Sequence, residues 1–262
     1  MRALPRRGRR SIWAGRARSL PENRLERLDM AILNPVPNVR QLVRLGVFSC
    51  HLVEGGDGLA LFDTNLPGSA PGIAAEIARL GKPLRQIFLT HAHSDHVGSL
   101  DALAERFPQA EIITTARTAR LLSGDRSLDP DEAGMALKGG YRTTRTTPTR
   151  LVEDGEEYAG FRAVATPGHA VGHVSWQQVS TGFVFCGDAL VSAGGGLHVS
   201  GVFRLGFPFP YFATASRPKA LESARKLAAL APTALLPVHG PAIRDPAPAL
   251  ARAIDEAARA FG

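Results

Sequence analysis

Four side chains that can bind a metal ion lie within six residues of one another: His91, His93, Asp95 and His96. Imidazole nitrogens and carboxylate oxygens are common ligands of zinc, and they also bind iron and manganese. The whole chain contains only eight histidines, so three of them beside one aspartate favour a metal site over an ordinary polar loop. This cluster is the first candidate functional site.

The cluster lies between an apolar run typical of a buried strand and a helical pattern that is predicted to continue to Phe107. His91 and His93 are two residues apart, which places their side chains on one face of an extended chain. Asp95 and His96 then turn toward the following helix. Donors that point in two directions suit two adjacent metal ions better than one ion.

The pattern His-x-His-x-Asp-His after a buried strand resembles the signature of the metallo-β-lactamase fold superfamily. That family needs further ligands downstream, and each has a candidate at a predicted strand end: His169, Asp188 and His239. The resemblance covers about residues 39–262. It implies an α/β fold, a four-layer αββα sandwich of two packed mixed β-sheets flanked by helices, with the ligands at one edge between the sheets.

The resemblance also divides the ligands between two metal ions. One ion is expected to be bound by three histidines, His91, His93 and His169. The other is expected to be bound by Asp95, His96 and His239, with Asp188 bridging the two. The implied cofactors are two Zn²⁺ ions per chain, with iron or manganese as alternatives.

Such a site would leave each ion an open coordination position for water, as catalytic metal sites do. A water that bridges two cations loses a proton near neutral pH and becomes a hydroxide nucleophile. Asp95 is the candidate residue to pass a proton to the leaving group. The expected activity is metal-dependent hydrolysis of an ester, lactone, thioester or amide bond in a small molecule.

Further residues are expected to support this site. Asp63 follows the predicted strand 59–62, and by resemblance it braces the histidine turn through hydrogen bonds without binding the metal. The segment 193–212 is rich in glycine, proline and aromatic residues and lies between two predicted ligands. It is expected either to line an apolar substrate pocket or to cover the edge of the core. The candidate pocket residues are His198, Phe207 and Tyr211.

Positive charge is concentrated at the start of the chain. The net charge is +7, and residues 1–29 contain nine arginines against three acidic residues, which accounts for +6. We predict a basic leader over residues 1–29, either disordered or translated ahead of a true start at Met30. Residues 30–262 are predicted to form the metallo-β-lactamase-fold domain, whose own charge is near zero.

Composition limits the expected location and partners. No apolar run approaches the roughly 18 residues that a membrane-spanning helix needs, so no membrane partner is expected. Cys50 and Cys186 stand in apolar surroundings and no export signal precedes them, which predicts reduced core cysteines in a cytoplasmic protein. The expected partner is a small-molecule substrate rather than nucleic acid. The oligomeric state stays open, and a homodimer is one candidate.

Two other functions are alternatives to hydrolysis. The fold also serves mononuclear iron dioxygenases that act on persulfides with fewer of these ligands, and the intact set of Asp95, His96 and His239 argues against that function. The arginine-rich leader could bind nucleic acid, since basic segments neutralise phosphates. Full function in a protein that lacks residues 1–29 would rule out this second alternative.

The subfamily, and with it the substrate, stays open. Only 23 residues follow His239, too few for the helical C-terminal domain of glyoxalase II proteins. Ala189, Leu190 and Val191 stand where quorum-quenching lactonases carry a catalytic tyrosine. The segment 123–150 has the composition of a loop with a short helical start, and it could act as a lid over the site.

Overall fold

The computed structural model describes residues 30–262, so the predicted leader over 1–29 lies outside the described residues. Seven strands form the first sheet, and their spatial order is their chain order: β1 (Met30–Leu33), β2 (Val39–Arg44), β3 (Phe48–Glu54), β4 (Leu59–Phe62), β5 (Leu84–Phe88), β6 (Glu111–Thr115) and β7 (Arg150–Val152). The pairs from β1 to β4 are antiparallel, and those from β4 to β7 are parallel. The sheet is therefore mixed.

Six strands form the second sheet in the spatial order β15 (Ile243–Arg244), β14 (Ala234–Pro237), β11 (Phe183–Gly187), β10 (Val174–Gln178), β9 (Phe161–Ala165) and β8 (Glu157–Tyr158). Only the pair formed by β11 and β14 is parallel. A separate hairpin of β12 (Leu190–Val191) and β13 (His198–Val199) lies beside this sheet. Both sheets are mixed, as predicted.

Helices cover the outer face of each sheet. The helices on the side of the first sheet are α1 (Ala70–Leu80), α2 (Ser94–Val97), α3 (Leu100–Arg106) and α4 (Ala116–Leu122). The later helices are α5 (Phe209–Ala213), α6 (Arg217–Ala229) and α7 (Ala247–Phe261), and α6 and α7 cover the second sheet. No helix in residues 30–262 is long and apolar enough to cross a membrane.

Strand alternation explains why the two sheets pack together. On β4, Leu59 and Leu61 join the cluster beneath α1 and α3, whereas Ala60 and Phe62 join the cluster between the sheets. Phe62 stacks on Phe185 of the second sheet, with ring centroids 3.9 Å apart. Because successive side chains of a strand point to opposite faces, one apolar strand can serve both layers. The predicted αββα sandwich is confirmed.

The helix predicted to follow the ligand turn and run to Phe107 is α3, which ends at Arg106, and a separate short helix, α2, precedes it. A Cβ on Gly98 would lie only 2.3 Å from the backbone nitrogen of Pro67, so this close approach requires glycine. The Ser99 hydroxyl accepts hydrogen bonds from the backbone N–H groups of Ser69 and Ala70 at the start of α1. Tertiary packing against α1 thus ends the first turn and restarts the helix.

Candidate metal centre

Five strands of the two sheets end at the same edge of the sandwich, and each is followed by a predicted site residue. Asp63 follows β4, His91 follows β5, His169 follows β9, Asp188 follows β11 and His239 follows β14. The strands β4 and β5 run parallel in the first sheet, and β11 and β14 run parallel in the second. Their carboxyl ends therefore deliver polar side chains to one place.

The end of β11 can pack closely against Thr90 and His173 because Gly187 has no side chain. Gly187 has a φ of +49°, and a Cβ at this position would lie 2.7 Å from Nε2 of His173 and 2.8 Å from Cβ of Thr90. The next residue, Asp188, donates its backbone N–H to Nε2 of His173 at 3.1 Å. His173 thus supports the strand end next to the site, as a loop-stabilising residue would.

Three histidines form the first group of candidate ligands. The Nδ1 atom of His93 lies 2.9 Å from Nε2 of His91 and 3.1 Å from Nε2 of His169. All three side chains are buried. Together they offer one nitrogen each within a space that fits a single ion.

Asp95, His96 and His239 form the second group. The Oδ2 atom of Asp95 lies 3.3 Å from Nε2 of His239 and 3.9 Å from Nε2 of His96. His96 and His239 are buried, whereas the Asp95 side chain keeps 22% of its surface exposed. Asp95 is therefore the carboxylate of this group that solvent and a bound molecule can reach.

The Asp188 carboxylate lies between the two groups. Its Oδ2 atom is 3.3 Å from Nε2 of His169 in the first group and 3.2 Å from Nε2 of His239 in the second. Its Oδ1 atom is 3.3 Å from Nε2 of His96. A carboxylate with these neighbours is placed to bind two ions at once.

The ring nitrogens that face away from the centre each contact an oxygen atom. These contacts join Nδ1 of His91 to the Thr90 hydroxyl (3.1 Å), Nε2 of His93 to the Lys138 carbonyl (2.9 Å), Nδ1 of His96 to the Asp63 carboxylate (2.8 Å), Nδ1 of His169 to the Thr214 hydroxyl (3.4 Å) and Nδ1 of His239 to the Val47 carbonyl (3.3 Å). A ring that donates its outer N–H turns an unprotonated nitrogen inward. All five rings are thereby oriented with their other nitrogen toward the centre, as metal binding would require.

The inner atoms are consistent with a bound cation. Within residues 30–262, the buried Nε2 of His96 and the buried Oδ1 of Asp188 have no hydrogen-bond partner. Buried polar atoms normally find a partner, because an unsatisfied one costs about 1–3 kcal/mol. Histidine nitrogens and carboxylate oxygens that converge at one place match the ligand chemistry of a divalent metal. The residues present therefore fit such an ion.

Asp63 supports the histidine turn, as the resemblance implied. Its Oδ1 atom accepts the backbone N–H of Thr90 at 2.8 Å. Its Oδ2 atom accepts the Thr90 hydroxyl and the Nδ1–H of His96, both at 2.8 Å. The residue is fully buried with a φ of +58°. Its carboxylate thus fixes both the start of the motif and the ring of His96.

Burial and local charge divide the histidines into two kinds. Burial lowers the pKa of His91 and His169 well below the ordinary value, and it lowers the pKa of His93 to about 4. At His239 burial acts in the same direction, but the carboxylates of Asp188 and Asp95 outweigh it and raise the pKa to about 9. The first group is therefore neutral and ready to bind, whereas a metal must displace a proton at His239.

His96 and the two carboxylates follow the same electrostatics. Burial lowers the pKa of His96, but Asp188, Asp63 and Asp95 together raise it well above the ordinary value. Burial raises the pKa of Asp188, yet His239 and His96 bring it well below the usual range. Asp95 shows the same balance, with a lowered pKa because of His96 and His239. Both carboxylates are ionised, the form that binds metal.

The three candidate pocket residues lie in different surroundings. Phe207 is buried against the ring of His239, with centroids 5.0 Å apart. Tyr211 on α5 packs on Phe203 and lies under the guanidinium of Arg217. His198 is buried on β13 and contacts the Gly196 carbonyl through Nδ1 at 3.1 Å, with the charges of Arg204 and Glu256 nearby. Within residues 30–262, Phe207 is therefore the one candidate pocket residue of the three that contacts a candidate metal ligand.

Several residues of the site were not predicted. Phe48 and Val47 form an apolar wall with Phe207, and the ring of Phe48 lies 5.3 Å from that of His239. Lys138 and Thr214 contact outer ring nitrogens of candidate ligands. Lys138 makes its contact through the backbone carbonyl and Thr214 through its hydroxyl, and each lies 45 residues from the histidine it contacts. No motif in the sequence marks such groups.

Comparison with known proteins agrees with this geometry. Residues 44–239 match the family model described as the metallo-beta-lactamase superfamily. The chain belongs to this superfamily. Membership indicates a metal-dependent hydrolase, and it confirms the family predicted from the histidine motif.

Two relatives and one solved structure illustrate the range of similarity. The chain is 43% identical over 210 residues to the uncharacterized protein YobT of Bacillus subtilis (strain 168), covering 80% of this chain and 90% of that protein. It is 35% identical over 130 residues to a hydroxyacylglutathione hydrolase of Thermosynechococcus vestitus, covering 50% of this chain but only 44% of that enzyme. The solved structure of TTHA1623 in a di-iron-bound form aligns with a TM-score of 0.58 and 27% identity, covering 86% of this chain and 98% of that one.

Proposed function

We propose that this protein is a dinuclear metal-dependent hydrolase of ester, lactone, thioester or amide bonds in small molecules. The observation that carries the proposal is the position of Asp188, whose Oδ2 lies within 3.3 Å of a histidine nitrogen in each of the two ligand groups. A mononuclear site has no need of a carboxylate in that position. Family membership supports hydrolysis as the reaction class.

The chain's own residues have distinct roles in this proposal. When bound, two divalent ions would supply a hydroxide from water near neutral pH and would polarise the substrate carbonyl. Asp95 is ionised and partly exposed beside His239, so its carboxylate can take a proton and deliver it to the leaving group. Asp63 keeps the ring of His96 in place, and Asp188 would hold both ions.

Zinc is the metal we propose, with iron and manganese as alternatives. The candidate ligands are five imidazoles and two carboxylates, which suit all three metals. The two cysteines, Cys50 and Cys186, are buried and unpaired and lie among core residues rather than among the ligands. A related structure contains two iron ions, which supports a dinuclear site without selecting zinc.

An apolar surface beside the second ligand group favours substrates with an apolar portion. Val47, Phe48 and Phe207 pack together next to His239. Apolar side chains of the β2–β3 turn and of the segment around Phe207 remain about half to mostly exposed. They are Leu45, Phe203, Leu205, Phe209 and Phe212. Pockets for small molecules combine such apolar walls with a few polar groups. The partial match to a hydroxyacylglutathione hydrolase supports including thioesters among the candidates.

The proposal is tested by removing the metal and restoring it. The full-length protein would be stripped with a chelator, reloaded with zinc, iron or manganese, and assayed on aryl esters, lactones and thioesters. We expect no activity without metal and activity with at least one metal. Asp95→Asn should lower kcat on the order of 10²-fold or more, whereas the exposed Asp131→Asn serves as the matched control. Oxygen uptake on persulfides without any hydrolysis would contradict the proposal in favour of a dioxygenase.

A further inference from the structure

A short segment from the loop between α4 and β7 runs alongside the histidine motif. This segment, residues 138–142, is called the strap below. The backbone N–H of Ser94 donates to the carbonyl of Gly140 at 2.8 Å, and the backbone N–H of Arg142 donates to the carbonyl of Ala92 at 3.0 Å. These two bonds pair the strap with the motif as neighbouring strands are paired.

The strap contacts His93 through its ring. His93 differs from the other four candidate histidines, because its Nδ1 rather than its Nε2 faces the centre. Its Nε2 lies 2.9 Å from the backbone carbonyl of Lys138. A carbonyl can only accept, so this contact places the ring proton on Nε2 and leaves the Nδ1 lone pair free. The tautomer that can bind metal through Nδ1 is thereby selected.

Gly139 brings the strap backbone directly onto the His93 ring. Its φ is +86°, and a Cβ added there would lie 2.6 Å from Nε2 and 2.7 Å from Cε1 of His93. Such distances are shorter than any van der Waals contact, so a side chain at this position must displace the ring. The absence of a side chain at Gly139 is what allows the Lys138 carbonyl to reach Nε2.

Tyr141 confines the same ring from another side. Its ring lies edge to face against His93, with centroids 4.6 Å apart and planes at 72°. The guanidinium of Arg126 lies 5.0 Å from the centroid of Tyr141. Edge-to-face packing of this kind fixes the direction of both rings. His93 therefore has three contacts with one segment: a hydrogen bond, a glycine backbone and an aromatic ring.

The strap is itself anchored to the body of the protein. Just beyond it, the backbone N–H of Thr144 donates to the carbonyl of Leu122 at the end of α4, at 2.9 Å. The Asp101 carboxylate on α3 accepts the backbone N–H and the hydroxyl of Thr146, at 2.9 and 2.7 Å. These bonds hold the strap at a fixed distance from the motif.

We propose that the strap is a positioning element for the metal centre, which orients His93 and selects its Nε2-protonated form. The metal affinity of the group formed by His91, His93 and His169 then depends on residues 138–142. The strap does not touch the metal, and it acts only through His93. This inference rests on the proposed metal site, and the experiment below separates the two.

The test compares two glycines with the same backbone conformation. Gly134 has a φ of +84°, nearly that of Gly139, and a Cβ there would meet no described atom within 4 Å. Gly139→Ala and Gly134→Ala should therefore carry a similar backbone cost, and thermal unfolding of both variants shows whether the contact with His93 destabilises Gly139→Ala further. Metal affinity of the full-length proteins is measured by competition with a chromophoric chelator. We expect Gly139→Ala to bind its first metal about 10–100-fold more weakly, as loss of a partner of a ligating histidine does. Gly134→Ala should bind as the wild type does.

Two further measurements keep the inference falsifiable. If Gly139→Ala does not fold, Tyr141→Leu takes its place, with an expected loss of metal affinity of about tenfold. Nitrogen-15 NMR of labelled histidines in the zinc-loaded wild type should show His93 protonated at Nε2. Equal metal affinities for the wild type and both strap variants, or a His93 protonated at Nδ1, would contradict the positioning role of the strap. Neither result would by itself contradict the proposed hydrolase. A wild type that binds no divalent metal would instead contradict the proposed function.

Discussion

The Asp63 carboxylate and the His96 imidazole form a fully buried hydrogen bond, with 2.8 Å between Oδ2 and Nδ1. The same carboxylate holds the backbone and the hydroxyl of Thr90, at the start of the histidine motif. Two strand ends of the first sheet, those of β4 and β5, are therefore joined by one side chain. The orientation of His96 depends on a residue 33 positions earlier in the chain.

Replacing Asp63 with asparagine should weaken metal binding. An amide has one acceptor oxygen, so its NH₂ group must face either Thr90 or the Nδ1–H of His96, where a donor meets a donor. We expect metal affinity to fall about 10–100-fold in Asp63→Asn. The measurement is competition with a chelator, and the exposed turn residue Asp57→Asn is the control. Unchanged affinity in Asp63→Asn would show that this carboxylate is only a structural turn residue.

Exposed aromatic residues near the centre should determine the preference for apolar substrates. Phe209 and Phe212 expose 64% and 66% of their surface on α5, which leads into Thr214 beside His169. We expect the double replacement by serine to lower kcat/KM about tenfold for esters with long acyl chains, by removing apolar contact area. Short-chain esters and metal content should change little.

The control for this prediction is Leu151→Ser, since Leu151 is also exposed, at 51%, but lies on the edge strand β7. An equal loss for short and long acyl chains in the Phe209 and Phe212 variant would indicate a general disturbance of α5. In that case the apolar surface has no part in selecting the substrate.

His51 gives the fold a defined sensitivity to acid. Its ring is buried between the sheets against Phe185, and within residues 30–262 neither ring nitrogen has a hydrogen-bond partner. Burial lowers its pKa from 6.5 to about 3. The unfolded chain therefore takes up a proton at this residue as pH falls below 6.5, while the folded chain does not. This residue lowers stability progressively in that window, by about 1.4 kcal/mol per pH unit.

His51→Leu should remove this dependence. Because the buried ring makes no hydrogen bond that leucine would lose, stability at pH 7 should be equal or higher. Between pH 6.5 and about 4, the free energy of unfolding should fall less steeply in the variant, as measured by urea denaturation at several pH values. Other buried histidines remain in both proteins, so the difference isolates His51. Parallel pH profiles for the two proteins would contradict this account.

The sequence allowed the centre of the molecule to be predicted better than its surroundings. The histidine motif and the strand-end positions of His169, Asp188 and His239 follow from local patterns, and the structure brings all of them together. The sandwich fold was predicted from the family resemblance that the motif carries, and the two mixed sheets agree with it. The metal-binding roles of these residues stay predictions until an ion is measured.

What was missed involves contacts between distant parts of the chain. The strap pairs with the motif through backbone groups, and the glycine at position 139 is distinguished only by its contact with a ring 46 residues away. The apolar wall at Phe48 forms only because Phe207 and His239 pack against it from distant parts of the chain. The spacing of residue types along the chain does not predict which distant residues contact one another.

The most direct measurement is the metal content of the wild type and of Asp188→Asn, both purified without chelator. The carboxylate between the two ligand groups is the central feature of the account, and the amide has the same shape but carries no charge. We predict two divalent ions per wild-type chain with hydrolysis of ester-type substrates, and one ion or fewer with little hydrolysis in Asp188→Asn. A single iron ion in both proteins, with no hydrolysis by either, would contradict the dinuclear hydrolase.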